Sequence, residues 1–262
     1  MSYRNDYSAL DRPEILRFVF YPRRDFVAAP AGAVDHLVPV ESGISVSCRF
    51  YIHGQDSPSI IFFHGNGEVV SDYNYIAPFY DQLGINFFVA DYRGYGSSSG
   101  MPTFASTVAD ASIIFDSFKN LLDRGHYTGD IFAMGRSLGS IPAIELASSY
   151  HQHIKGLIIE SGFASIARLL SYLGFPAEFL GLQDTGFPNL TKIRTVTLPM
   201  LIIHGERDSF IPVAEAEDLL DNVNTENKRL VIIPGADHNT IMSVDLQQYF
   251  TAIKEFIAAQ LR

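Results

Sequence analysis

Short, almost unbroken apolar runs that end at turns, separated by longer segments with helical spacing, constrain this chain more than any other feature. The runs are 59–63, 85–90, 130–134, 154–159, 200–203 and 230–233. Continuous Ile, Leu, Val and Phe over so few residues suits strands buried on both faces. The spacing predicts a helix over 103–122, carrying Val108, Ile113, Phe115, Phe118 and Leu121. It predicts another over 240–261, with Ile241, Val244, Tyr249, Ile253, Phe256 and Ile257. Strands alternating with helices mean a mostly parallel sheet with helices on both faces, an α/β fold. The start differs: 36–39 and 45–51 flank the turn Glu41-Ser42-Gly43, and Val46, Cys48 and Phe50 alternate with polar residues. That pattern predicts an antiparallel hairpin at one edge, bringing the sheet to about eight strands.

A length of 262 residues admits one or two domains. No linker breaks the pattern, so a single domain over 1–262 is expected. The longest departure is 161–198, with a short amphipathic helix over 164–173, then Phe175-Pro176, then an apolar patch at Phe179, Leu180 and Leu182. It reads as a short lid-like excursion, too small for a second core.

Composition excludes several function classes. Hydrophobic residues make up 47% and charged residues 18%, which is globular rather than disordered. A net charge of −10 repels phosphate backbones, so no nucleic-acid partner is expected. One cysteine, Cys48, rules out an internal disulfide and cysteine-rich zinc sites, and it reads as a packed strand residue. No run is long and apolar enough to cross a membrane, and residues 1–16 lack a secretory core, so no membrane insertion and a cytoplasmic location are expected.

Two matches to Gly-x-Ser-x-Gly occur, at 96–100 and at 135–139. A nucleophile elbow is a tight strand-to-helix turn whose glycines permit close backbone approach around a strained serine. Ser137 follows an apolar strand and precedes good helix formers at 143–147, whereas Ser98 lies in a Gly/Ser-rich stretch before Met101-Pro102. Ser137 is therefore the candidate nucleophile. Serine needs a histidine base, and the base needs a carboxylate. Of the eight histidines, His238 directly follows the run 230–233 and so shares the C-terminal rim of the sheet with Ser137. Asp208, after the run 200–203, reaches the same rim, while Asp237 should point away from its neighbour His238. His64 and His204 also end strands, each before a glycine, and read as histidines bonded to backbone. No metal and no cofactor are expected. The backbone N–H groups of Leu138 and of Asn66, in His64-Gly65-Asn66-Gly67, are the candidate oxyanion donors, with Gly67 as the alternative to Asn66.

The order Ser137, Asp208, His238, with His64-Gly65-Asn66-Gly67 and Asp91-Tyr92-Arg93-Gly94-Tyr95-Gly96-Ser97, resembles the α/β-hydrolase superfamily from about Val34 to the C-terminus. Within it the chain looks most like small serine hydrolases with little or no cap. These include bacterial proteins of unassigned substrate and eukaryotic lysophospholipases and depalmitoylases. Many such relatives carry a membrane helix or an acylated cysteine cluster at the N-terminus; neither is present in these 262 residues. The resemblance implies a structural role for Arg93, and Arg136 and Glu160 read the same way. Glu68 stands where a small or neutral residue is common, and reads as a partner for the next helix's dipole, with a cationic substrate group as the alternative.

The expected function is a serine hydrolase that cleaves a small-molecule carboxylic ester or thioester through an acyl-enzyme. The alternatives are an aminoacyl- or dipeptidyl-type peptidase and a non-catalytic binding protein of the same fold. Phe163, Leu169, Leu170, Leu173, Phe175, Phe179 and Leu180 are the candidate pocket residues, and packing on the domain is their other reading.

Overall fold

The computed structural model describes residues 7–175 and 188–261. Among them, eight strands form one sheet: β1 (Ala33–Glu41), β2 (Ile44–Tyr51), β3 (Ser59–Phe63), β4 (Asn86–Ala90), β5 (Ile131–Arg136), β6 (Gly156–Glu160), β7 (Met200–Gly205) and β8 (Lys228–Ile233). Their order is β1-β2-β4-β3-β5-β6-β7-β8. The β1–β2 hairpin and the β2–β4 pairing are antiparallel, and every later pairing is parallel. The expected edge hairpin and parallel sheet are thus both present. β5 runs two residues beyond its apolar core because Arg136 pairs in register with Glu160 of β6, so the strand ends directly before Ser137.

The α-helices among the described residues are α1 (Pro13–Val19), α2 (Ala77–Gln82), α3 (Phe104–Arg124), α4 (Ser140–Ser149), α5 (Ile166–Tyr172), α6 (Asn189–Ile193), α7 (Val213–Asn222), α8 (Ile241–Val244) and α9 (Leu246–Gln260). Alternate strand residues serve opposite cores. Ile61, Phe63, Phe88 and Ile202 pack with residues of α3, α4 and α7. Ile60, Phe62, Phe87 and Leu201 pack with residues of α2 and α9. This period of two explains the unbroken apolar runs, since both faces are covered.

Local chemistry sets the helix ends. Thr103 caps α3: its Oγ1 accepts from Ser106 N at 2.9 Å, and Ser106 Oγ accepts from Thr103 N at 2.9 Å. The helix expected over 240–261 is broken. Asp245 leaves the helical region at φ −146°, and its carboxylate accepts from Gln248 N at 2.8 Å, starting α9 afresh. An aspartate satisfies a helix start better than a helix interior. The break leaves Val244 exposed, contrary to the uninterrupted spacing.

The excursion begins against α7, where Glu215 accepts from Ala164 N at 2.8 Å. Phe163 and Leu170 are fully buried in the core on this side of the sheet. Phe179, Leu180 and Leu182 lie outside the described residues.

Aromatic packing holds α3 to the sheet: the Phe118 ring lies 4.4 Å from Phe88 and 5.6 Å from Phe50 between centroids. Phe118→Ala should lower the unfolding free energy by about 3–5 kcal/mol in urea denaturation. A loss below about 1 kcal/mol would mean that α3 is not held by this cluster.

Candidate active site

Ser137 opens a single 3-10 turn, Ser137–Gly139, between β5 and α4. Its φ is +51°, a left-handed conformation that is strained for a serine. Neither flanking glycine has positive φ; what each needs is room. A Cβ at 135 would collide with the Gly139 carbonyl, and one at 139 would collide with the Phe63 carbonyl at the end of β3. The turn is thus pressed against the loop that follows β3. Ser98, in the other Gly-x-Ser-x-Gly match, is buried and accepts from Ser47 N at 2.8 Å. No helix starts there.

His238 follows β8 and Asp208 follows β7. The His238 ring bridges the two other residues, with Nδ1 2.7 Å from Asp208 Oδ2 and Nε2 3.0 Å from Ser137 Oγ. Asp208 Oδ1 accepts from Phe210 N at 3.0 Å and Ile211 N at 2.8 Å, closing its own loop into a turn. The Asp208 side chain is fully buried, and that of His238 is 11% exposed, so the chain of groups runs from interior to cleft. Asp237 faces elsewhere: its Oδ1 accepts from Asn239 N at 2.9 Å and Thr240 Oγ1 at 2.8 Å.

His204 donates from Nε2 to Ile211 O at 2.7 Å, and the same nitrogen lies 3.5 Å from Asp208 Oδ2. Burial lowers its pKa against the opposing pull of the Ile211 carbonyl and Asp208, so the ring is neutral at neutral pH. It therefore fastens the Ile211 end of the Asp208 turn. His64 Nδ1 donates to Gly65 O at 2.7 Å, and Nε2 sits 3.0 Å from Asp91 Oδ1. Arg93 grips Asp110 of α3 with two bonds of 2.7 and 2.8 Å and reaches Glu41 at 2.6 Å, a structural clasp.

Glu68 bonds to Arg136, Gly65 and Tyr73 rather than to a helix start. Its Oε1 lies 2.5 Å from Arg136 Nη1, while Oε2 accepts from Gly65 N at 2.7 Å and the Tyr73 hydroxyl at 2.6 Å. Burial works to raise the Glu68 carboxyl, but Arg136, Tyr73, His64 and the Gly65 N–H outweigh it, and the group sits below its usual range. Glu160 accepts from Arg136 Nε at 3.1 Å and the Tyr249 hydroxyl at 2.7 Å. There burial prevails over both partners, and the carboxyl is pushed up.

Ser137 and His238 open on a cleft of about 420 Å³. Asn66 and Leu138 line it, as do Leu169 and Leu173 of the excursion. Phe175 does not line it but packs its ring 4.7 Å from that of Phe18, which does. Phe163 and Leu170, also read as pocket residues, lie in the core because their side of the excursion faces the sheet. Phe179 and Leu180 fall outside the described residues. The remaining wall was not read as pocket in the sequence: Phe18, Val19 and Tyr21 from the N-terminal segment, and, nearer Ser137, Arg136, Phe210, Ile211 and Asn239. A signal existed for the former, since Pro13, Glu14 and the spacing of Ile15 and Val19 spell a short helix start. The segment is tied to the loop after β3. The Asn66 side chain donates to Val19 O and accepts from Tyr21 N at 3.0 Å and the Tyr95 hydroxyl at 2.6 Å, and Arg23 donates to Gly67 O at 3.2 Å.

Comparison with known proteins places this geometry. The Hydrolase_4 family, described as serine aminopeptidase, S33, matches over residues 54–191 and 175–245. The chain belongs to that family. It is an α/β-hydrolase, as the motifs led one to expect. Human alpha/beta hydrolase domain-containing protein 17B is 29% identical over 224 residues, 84% of this chain and 73% of that protein. An uncharacterized protein of Mycobacterium tuberculosis is 28% identical over 250 residues, 92% of this chain and 86% of its own. An esterase from Pyrococcus furiosus shares the fold with a TM-score of 0.77 at 19% identity, covering 93% of this chain and 100% of the esterase. No described helix is long and apolar enough to cross a membrane.

Asn66→Ala removes three side-chain bonds that join the cleft's loop to the N-terminal segment and to Tyr95. A stability loss of about 1–3 kcal/mol is expected in urea denaturation, with faster trypsin cleavage at Arg17 or Arg23. An unchanged midpoint and digestion pattern would show that the segment is held by other contacts.

Proposed function

We propose that this α/β-hydrolase is a serine hydrolase that cleaves a carboxylic ester or thioester through an acyl-enzyme. One observation carries the reading: the unbroken hydrogen-bonded chain from Ser137 Oγ through His238 to buried Asp208, open to an apolar cleft. Ser137 Oγ attacks the substrate carbonyl carbon while His238 Nε2 takes its proton. Asp208 fixes the ring orientation and stabilises the imidazolium that forms. The backbone N–H groups of Leu138 and Asn66 stabilise the oxyanion. Collapse of the tetrahedral species expels the alcohol or thiol, which receives the proton from His238. Water then attacks the acyl-enzyme by the same steps and frees Ser137.

The family's description also invites an aminopeptidase reading. Holding a substrate ammonium calls for a carboxylate facing the cleft. The described residues that line it include none, and both oxygens of nearby Glu68 are engaged by Arg136, Gly65 and Tyr73. The apolar wall instead suits an acyl or aryl group, which favours the ester reading. The reading includes a single domain over 1–262, with 161–198 as its lid-like excursion, and a cytoplasmic enzyme acting on a small molecule.

A fluorophosphonate should label the parent protein, and Ser137→Ala should abolish labelling and p-nitrophenyl ester turnover. Equal labelling of Ser137→Ala overturns the assignment. Asp208→Asn should fold normally and lose roughly four orders of magnitude in kcat. A series of acyl esters and thioesters against an aminoacyl amide separates the substrate classes; faster amide turnover would favour the peptidase.

A further inference from the structure

The residue before Ser137 has an unusual set of partners. Arg136 ends β5 with its side chain only 10% exposed. Its guanidinium reaches three other segments at once. Nη1 lies 2.5 Å from Glu68 Oε1, Nε donates to Glu160 Oε1 at 3.1 Å, and Nη2 donates to His238 O at 2.9 Å and Asn239 Oδ1 at 3.1 Å. Glu68 in turn accepts from Gly65 N, in the loop that carries Asn66. Gly65 fits beside this group because it lacks a side chain: a Cβ there would collide with Arg136 Nη1. Glu160 is fixed from behind by the Tyr249 hydroxyl at 2.7 Å.

We propose that Arg136 is a positioning residue, a rigid fork that sets the His238 backbone and the Gly65–Asn66 loop relative to Ser137. The inference rests on the serine-hydrolase reading above. Only a planar guanidinium suits the arrangement. Its three nitrogens point in fixed directions, so one group can meet a carboxylate on each side and a backbone carbonyl ahead. Lysine brings one ammonium on a flexible stem and cannot hold all of these acceptors together. The competing explanation is that Arg136 merely neutralises Glu68 and Glu160. That role needs positive charge but not the fork, and it has no reason to engage the carbonyl of the proposed base. Small displacements in such a constellation are costly to rate, since reacting groups need near-attack geometry.

The experiment compares the full-length parent protein with Arg136→Ala, Arg136→Lys and Ser137→Ala. It measures kcat and KM on a p-nitrophenyl ester, and melting temperature. A positioning fork predicts that kcat falls about 100-fold in Arg136→Ala with KM within about twofold. It predicts that Arg136→Lys keeps the parent melting temperature yet recovers little of the kcat. Millimolar guanidinium chloride should restore kcat of Arg136→Ala in a saturable way, where sodium chloride at equal strength does not, because the cleft borders the vacated position. If Arg136→Ala fails to fold, the folded Arg136→Lys carries the test. The proposal is overturned if a folded variant keeps kcat within about threefold of the parent. A loss confined to KM overturns it too, as does a loss that guanidinium leaves untouched and that tracks a lowered melting temperature. Activity in Ser137→Ala is a separate result, and it would sink the serine-hydrolase reading instead.

Discussion

The meeting of Asn66, Ser137, Asp208 and His238 depends on parallel register at the C-terminal rim of the sheet. Phe63 pairs beside Gly135, Gly135 beside Ile159, and Gly205 beside Ile233. Because these strands run the same way, the chain leaves each of them at the same rim. The loops carrying Asn66, Ser137, Asp208 and His238 are thereby gathered without any of those residues being near another in sequence. Parallel strands need long crossovers, and the crossovers are the helices that bury both faces. The constraint continues down to single atoms. Ser137 holds a left-handed backbone, which costs about 1–3 kcal/mol. It persists because Gly135 lets the turn close on the Gly139 carbonyl and Gly139 lets it sit directly on the Phe63 carbonyl of β3.

The charges beneath that rim are harder to justify as stability. An arginine between two carboxylates in the interior loses solvation that the pairing only partly returns, and apolar replacements of such groups are often no less stable. The two acids also respond differently. Glu68 is held below its usual range by a guanidinium, a phenol and a backbone N–H, whereas for Glu160 enclosure outweighs its partners and raises it. Such a cluster is understandable where orientation is needed, because the Arg136 guanidinium joins three separate segments, at Glu68, at Glu160 and at His238–Asn239. A core of leucine and valine would fill the same volume without fixing a carbonyl or an N–H in direction.

This also marks where sequence reasoning runs out. The mostly parallel sheet was legible because burial on two faces writes itself as unbroken apolar runs, and the Ser137 turn because close backbone approach demands glycines. The interruption at Asp245 had a local sign, a capping residue, but an uninterrupted apolar spacing concealed it. The extension of β5 to Arg136 and the partner of Glu68 had no local sign at all. Arg136 and Glu68 are 68 positions apart, and a pairing of that kind is set by which loops the register brings together. Phe163 and Leu170 illustrate the converse. Apolar residues in a loop fit a pocket wall and a core equally well by composition, and only the face they present decides.

The N-terminal segment follows from the same logic. Phe18, Val19 and Tyr21 supply one wall of the cleft, and the Asn66 side chain bonds the backbone of two of them. Asn66 therefore works in two directions. Its side chain faces the wall, while its backbone N–H belongs to the loop proposed to hold the oxyanion. Arg23 adds a second tie from the same segment to Gly67. A substrate group packed against Phe18 or Tyr21 thus presses on a surface bonded directly to that loop. The apolar wall and the loop after β3 are thus joined through the Asn66 side chain and Arg23. In such an arrangement, contacts remote from the reacting bond can appear in kcat as well as in KM.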